Sequence, residues 1–406
     1  MLKPLWDDCI PPILQEPSLF DVNGLPRYWA TIWSIFQAAD LAPATKRKQL
    51  SCVEALYQFA DTQKGSGALD NAFGSVDIET LGELLEAYFV ALRNHSGPAE
   101  SLQLKWRTVF QFVTDIILRL SKTNQPVQRL QLIQARLNRL ELLYGQLRIA
   151  RKRSQDILRA LPALVVEALY EMLDPESSKN PFRDARSKWR AFIVFILLLH
   201  QGLRRGEALI LTTDAIKHGF DSRSGRERYW LSVVENPYEE MDQRYSTPSI
   251  KTTNSIRQIP VSEVTAGLVY EYTANYRGNP SHSFLINSQQ GNPLSAESVT
   301  KLFQKITQTL PKSILKDLKD RTGKTTISAH DLRHTCAVVR LNQLLTQGDS
   351  MDEALQKMRT FFGWSRSSDM PRKYAKAVFE DRLASVWNDA LDDRVAILRA
   401  IPFQQR

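Results

Sequence analysis

The longest apolar run of the chain covers residues 192–199, Phe-Ile-Val-Phe-Ile-Leu-Leu-Leu. A helix that crosses a bilayer needs about 20 apolar residues, so this run is far too short to span a membrane. It lies inside a longer helical pattern from Ser187 to Gln201. We interpret it as a helix buried in the core of a water-soluble domain.

The composition is consistent with more than one such core. The chain has 406 residues, of which 43% are hydrophobic and 24% are charged, and this predicts two or three domains. The formal net charge of +9 favours a polyanionic partner, most simply nucleic acid, although many basic proteins bind nothing acidic. The three cysteines are scattered without a CxxC pair, and the N-terminus lacks the apolar core of a signal peptide. These features predict a cytoplasmic protein without a disulfide framework.

Breaks in the pattern divide the chain into four parts. Residues 1–24 contain four prolines and predict an irregular N-terminal arm, and residues 25–150 have a helical pattern. That helical part is compatible with a DNA clamp and equally with an ordinary helical bundle. A basic segment from Arg148 to Ser154 marks the boundary to a second domain, 151–380. The last part, 381–406, has spaced apolar residues that predict an amphipathic tail helix.

The second domain combines helices with a small antiparallel sheet. Strand-like runs are Tyr229–Val234 and a segment that starts near Ser249 and ends at Val261. An acidic insertion, 235–243, separates them and places Lys251 near the hairpin. Residues 312–324 are basic and predict a mobile approach to the next helix. The fold class is therefore mainly α with a small antiparallel β-sheet.

Four short blocks in this domain carry candidate functional residues. In a helix that starts near Ser328, His330 and Arg333 are three residues apart and share one face. A guanidinium can fork onto two phosphate oxygens and an imidazole can transfer a proton near neutral pH, so this pair suits chemistry at a phosphate. Each block has an ordinary alternative, such as a charged helix surface or a packed tyrosine. The other candidates, from this block and the remaining ones, are Arg204, Glu207, Lys251, His334, Trp364 and Tyr374.

Taken together and in order, these blocks resemble the catalytic domain of the tyrosine recombinases, the phage integrase family. The matching segments are Gly202-Leu203-Arg204-Arg205-Gly206-Glu207, Lys251, His330-Asp331-Leu332-Arg333-His334-Thr335, and Gly363-Trp364 followed by Tyr374. Trp364 stands where the family often has a second histidine. Two departures are the acidic insertion before Lys251 and a gap between Trp364 and Tyr374 that is about one residue longer than in the family.

The resemblance implies a site-specific DNA recombinase with a helical core-DNA-binding domain, 25–150, and an α+β catalytic domain, 151–380. It implies that Tyr374 is the nucleophile, that Arg204 and Arg333 bind the scissile phosphate, and that Lys251 protonates the leaving oxygen. His330 would transfer protons and contact phosphate, Trp364 would donate its indole N–H, and Glu207 and His334 would support the others.

The same resemblance implies double-stranded DNA with core sites as partner, a tetramer on synapsed DNA, and a role in a mobile genetic element, with no membrane association. Neither a metal nor ATP is required, and the sequence has no phosphate-binding GxxxxGK[ST] motif. Two alternatives remain open. One is a non-catalytic DNA-binding protein on the same fold, and the other is a relaxing topoisomerase or telomere resolvase of similar chemistry.

Overall fold

The structure, a computed structural model, describes the chain in stretches: 2–4, 17–36, 41, 43–95, 99–121, parts of 131–142, 160–222, 225–239, 242, 244, 247–250, 253–376 and 378. It divides into two units, Met1–Gln155 and Asp156–Arg406. Three predictions fall outside the described residues: the basic segment 148–154, Lys251 and the tail 381–406. The helical pattern at 128–144 is described only in part, and the described residues there are helical.

In its described residues, the first unit is helical apart from one pair of very short strands and the turns between helices. Its elements are β1 (Leu2–Pro4), β2 (Pro17–Leu19), α1 (Tyr28–Phe36), α2 (Pro43–Lys64), α3 (Ala68–Gly74), α4 (Ile78–Asn94) and α5 (Ala99–Ser121). β1 and β2 pair antiparallel within the segment that the prolines predict to be irregular.

Aromatic rings form the centre of the core in this unit. Phe112 of α5 is fully buried, and its ring packs edge-on against Trp33 of α1 at 5.5 Å and Phe73 of α3 at 5.6 Å. Gly65 and Gly67 interrupt the helical pattern of the sequence and give no sign of α3. Gly67 does turn the chain, at φ 76°, but a new helix starts at once and buries Phe73.

The second unit contains both helices and strands. They are α6 (Ala163–Leu173), α7 (Ala185–Leu199), α8 (Arg205–Ile210), β3 (Ile216–Asp221), β4 (Arg226–Val233), β5 (Arg257–Val261), α9 (Glu263–Glu271), α10 (Ala296–Thr309), α11 (Lys312–Thr322), α12 (Ala329–Thr346) and α13 (Met351–Phe362). Residues 370–376 are also helical. The run 192–199 lies in α7, where residues 193–199 are buried, so the predicted core helix is confirmed.

The sheet is small and antiparallel, with the strand order β3-β4-β5. This confirms the predicted fold class, mainly α with a small antiparallel sheet. The predicted start of the last strand near Ser249 is wrong, because Thr253–Ser255 form a 3-10 turn and the strand begins at Arg257.

The segment before α12 also differs from its prediction. Residues 312–324 were predicted to be mobile, but Lys312–Thr322 form α11. The helix is held in place by an apolar stripe. Leu318 is buried, and Ile314 and Leu315 pack against the hydrophobic core of the second unit, while the basic side chains stay on the solvent side. Gly323, at φ 72°, ends the helix.

Among the described residues, no helix is long and apolar enough to cross a membrane.

Candidate active site

A buried carboxylate, Glu207, joins three arginines from different parts of the second unit. Its side chain is 2% exposed. Oε1 lies 2.5 Å from Nη1 of Arg204, Oε2 lies 3.0 Å from Nη2 of Arg257, and Oε2 lies 3.6 Å from Nη1 of Arg333. The same carboxylate accepts a hydrogen bond from the Arg204 backbone N–H at 2.8 Å. Glu207 therefore sets the relative positions of three guanidinium groups.

The charge state of Glu207 follows from these neighbours. Burial raises the pKa of the carboxyl, but the positive charges of Arg257, Arg333 and Arg204 more than offset it, and the net pKa lies below the ordinary value. The group is thus an anion at neutral pH, as a buried carboxylate with several cationic partners should be.

Arg333 is almost completely buried, with 3% of its side chain exposed. It sits on α12, which begins with a capping box between Ser328 and Asp331, as the sequence pattern indicates. Its guanidinium donates to the backbone carbonyl oxygens of Gly202 and, at 2.9 Å, Phe362. Burial lowers the pKa of Arg333 to about 10, so the side chain remains a cation at neutral pH.

Arg204 is the more accessible of the two predicted phosphate-binding arginines, with 26% of its side chain exposed. It precedes α8 and donates at 2.9 Å to the hydroxyl of Ser255. A cavity of about 500 Å³ opens beside it. Polar side chains in its lining include Arg204, Arg205, Thr300, Gln304, Ser328 and His330.

Tyr374 lies within the helical residues 370–376 and is 1% exposed. Its hydroxyl shares a hydrogen bond with Nδ1 of His334. Burial raises the pKa of the Tyr374 phenol above its ordinary value, against the opposing positive charges of Arg333 and Arg204. The phenol is therefore protonated in this structure and lies within the electrostatic reach of both arginines.

The two histidines of α12 differ in exposure. His330 is exposed at the N-terminal end of the helix, whereas His334 is 3% exposed. Their rings meet edge to face with centroids 4.0 Å apart. Burial, His330 and Lys324 together lower the pKa of His334 to about 3, so its imidazole is neutral.

Trp364 is a member of an aromatic stack. Its ring lies parallel to Phe362 on one side, with centroids 4.8 Å apart, and to Tyr374 on the other, 5.2 Å apart. The side chain is 7% exposed. Its observed contacts are packing contacts, and the predicted donation of its indole N–H to a phosphate remains a prediction.

Arg257 was not among the predicted site residues. Its guanidinium makes two contacts to Glu207, at 3.0 and 3.2 Å, and donates to the Phe361 carbonyl at 2.7 Å. The available signal was the alternation in β5, which puts Arg257 on the same buried face as Ile259 and Val261. An arginine on a buried strand face needs a charged partner.

The structure thus brings together Arg204, Glu207, Arg333, His334, Trp364 and Tyr374, with His330 at the edge of the adjoining cavity. Lys251 lies outside the described residues. In the part of the chain that the structure describes, no group of three or more His, Cys, Asp or Glu side chains is arranged to hold a metal ion.

Comparison with known proteins identifies a family. The sequence profile described as "Phage integrase family" matches residues 159–380, more than half of the chain. No curated protein matches the chain.

The matching solved structures include the XerH site-specific recombinase bound to palindromic difH, at 14% identity and a TM-score of 0.49, covering 89% of this chain and 85% of that one. The integrase of transposon Tn1549 in complex with circular intermediate DNA matches at 12% identity and a TM-score of 0.48, over 85% of this chain and 94% of the other. Lambda integrase bound to DNA matches at 13% identity and a TM-score of 0.36, over 84% and 97%.

Proposed function

Because the chain belongs to the phage integrase family, the tyrosine recombinases, we propose that it is a site-specific recombinase that cleaves and rejoins DNA strands through a covalent 3′-phosphotyrosine. One observation carries the proposal. Arg204 and Arg333 both contact the buried carboxylate of Glu207, and Tyr374, from a third segment, lies within the electrostatic reach of both arginines.

The two arginines would bind the non-bridging oxygens of the scissile phosphate. A guanidinium is always charged at neutral pH and offers forked N–H donors that fit phosphate oxygens. Because Glu207 and backbone carbonyls already hold both groups, they are preorganised to stabilise charge that develops on the phosphorane. Arg204 borders the open cavity, and the phosphate would enter the site through that cavity.

Tyr374 would attack the phosphorus, so that a bond forms from its oxygen to phosphorus while the bond to the 5′ oxygen breaks. The phenol must lose its proton, and a free phenol has a pKa of about 10. His330, at the rim of the cavity, is the group we assign to proton transfer and phosphate contact. Lys251 would protonate the departing 5′ oxygen, and Trp364 would pack the nucleophile and donate its indole N–H to phosphate. The broken phosphodiester is conserved as phosphotyrosine, so rejoining needs neither ATP nor a metal.

The remaining assignments follow from family and charge. We propose duplex DNA with specific core sites as the substrate, with residues 25–150 as the core-DNA-binding domain and 151–380 as the catalytic domain. We further propose a tetramer on synapsed DNA, in which the tail 381–406 contacts a neighbouring protomer, and a role in a mobile genetic element in the cytoplasm.

Covalent capture tests the proposal. The full chain is incubated with a library of nicked duplexes of random sequence, and DNA that survives denaturing washes on the protein is recovered and sequenced. We expect a shared sequence to emerge from the wild-type chain and none from Tyr374→Phe. Recovery of no covalent DNA under any salt condition that permits DNA binding would contradict the proposal.

A further inference from the structure

The nucleophile assigned above has a direct polar partner. The hydroxyl of Tyr374 and Nδ1 of His334 share a hydrogen bond although the residues lie 40 positions apart in the chain. Both side chains are buried, at 1% and 3% exposure. His334 was predicted to have only a supporting role, and nothing in the sequence pattern pointed to contact with the reacting oxygen.

The protonation states define the direction of this bond. Burial keeps the proton on the phenol, so Tyr374 has an O–H to donate. The imidazole is neutral because burial and the neighbouring His330 and Lys324 side chains disfavour its cation. A neutral imidazole has one donor and one acceptor nitrogen. The arrangement that satisfies the buried hydroxyl has Nδ1 as the acceptor and the ring proton on Nε2.

We propose that His334 is the positioning residue for the nucleophile: its Nδ1 accepts a hydrogen bond from the hydroxyl of Tyr374 and fixes the phenol oxygen in the attacking position. This inference rests on the proposed function, since it concerns the same tyrosine. It assigns no proton abstraction to His334, because an imidazole that is so hard to protonate is a poor base.

The aromatic contacts explain why a directional bond is needed. Trp364 stacks on the face of Tyr374 with an interplanar angle of 16°, and this restrains the ring plane. Stacking alone permits the ring to slide within that plane, which would move the oxygen at its tip. The bond to His334 removes this freedom. A misplacement of about 1 Å at a reacting atom can cost about 100-fold in rate.

Two substitutions separate hydrogen bonding from packing. His334→Asn places a short amide near the position of Nδ1 and keeps an acceptor there, whereas His334→Leu keeps bulk and loses the acceptor. The matched control is His218→Leu. His218 is an exposed histidine whose ring lies 6.0 Å from that of Tyr229, away from the site, so it tests the loss of a histidine beside a tyrosine elsewhere.

The kinetic readout is single-turnover cleavage of a nicked suicide duplex at several protein concentrations. For His334→Leu we expect the maximal rate to fall 10- to 100-fold while the half-saturating concentration stays at the wild-type value. His334→Asn should recover most of that rate, and His218→Leu should match wild type. A maximal rate for His334→Leu equal to or above wild type would overturn the proposal.

A spectroscopic readout on the wild-type chain needs no catalysis. In the full wild-type chain labelled with ¹⁵N-histidine, the six histidines give ring correlations, and His334→Asn identifies the one of interest. We expect a neutral ring with the proton on Nε2. A proton on Nδ1, or a cationic ring at neutral pH, would overturn the inference even if the chain proves active. If wild type forms no covalent adduct but the Nε2–H ring is found, the proposed function fails while the contact stands.

Discussion

Glu207→Gln is the substitution with the largest consequence that the structure predicts outside the reacting groups. The change keeps size and shape but removes the negative charge that three guanidinium groups share. Arg257 and Arg333 are 5% and 3% exposed, so water cannot solvate either guanidinium in place of the lost carboxylate. Breaking a buried ion pair by removing one partner costs about 3–5 kcal/mol. Arg204 adds little to that loss, because its side chain is partly exposed.

The assay is thermal unfolding of the full chain by calorimetry, because it separates the transition of the second unit from that of the first. For a unit of this size, each kcal/mol lowers the midpoint by about 2–4 °C, so the expected drop is about 6–20 °C. The matched control is Glu235→Gln, an exposed glutamate on the same unit, which should change stability by about 0.5 kcal/mol or less. If the unfolding midpoint of Glu207→Gln equals that of the control variant, Glu207 does not hold the arginines as described.

The pH dependence provides a further check on the same residue. Because the folded-state pKa of Glu207 is lowered, its carboxylate contributes stability above the unfolded pKa of about 4.3. That contribution is lost as pH falls through the folded-state pKa. The gap in stability between wild type and Glu207→Gln should therefore be largest near neutral pH and should narrow in acid. A gap that widens in acid would contradict the assignment.

Three other predictions follow. Gly363→Ala should lower the free energy of unfolding in urea more than Gly323→Ala does. Both glycines have positive φ, but a Cβ at Gly363 would lie 2.9 Å from the backbone of Ser255, whereas one at Gly323 meets nothing within 4 Å. Equal losses of stability in the two variants would refute the close approach. Lys251→Ala should slow cleavage far more than it weakens DNA binding, and a substrate with a 5′ sulfur leaving group, which needs little protonation, should restore the rate; failure to restore it would mean that another group is the acid. Binding to duplex DNA should weaken steeply with salt, since each neutralised phosphate contributes about 0.9 to the logarithmic slope, and an affinity independent of salt would argue against a DNA clamp.

The sequence was most informative where local chemistry determines local structure. Ser328 and Asp331 form the capping box that starts α12, and the apolar run in α7 is buried as expected. The match of ordered blocks to a known family placed Arg204, Arg333 and Tyr374 in one site, although no local pattern could show that they meet.

The parts that the sequence did not reveal depend on tertiary contacts. The role of Arg257 depends on Glu207, which lies 50 residues away, and the order in α11 depends on the packing of Leu318. β3 was missed because Lys217 and His218 are exposed and give the strand little apolar signal. Local propensity could therefore not supply the role of Arg257 or the order of α11, and it gave too weak a signal for β3.

The central claim is that Tyr374 is the nucleophile. The most direct measurement is mass spectrometry of the covalent adduct on a nicked suicide duplex, after nuclease digestion and peptide mapping. We predict a nucleotide attached through a 3′ phosphate to the peptide that contains Tyr374, and no adduct from Tyr374→Phe, which removes one oxygen while the ring can still stack on Trp364. An adduct that maps to another tyrosine, such as Tyr276, or that persists in Tyr374→Phe, would contradict the account.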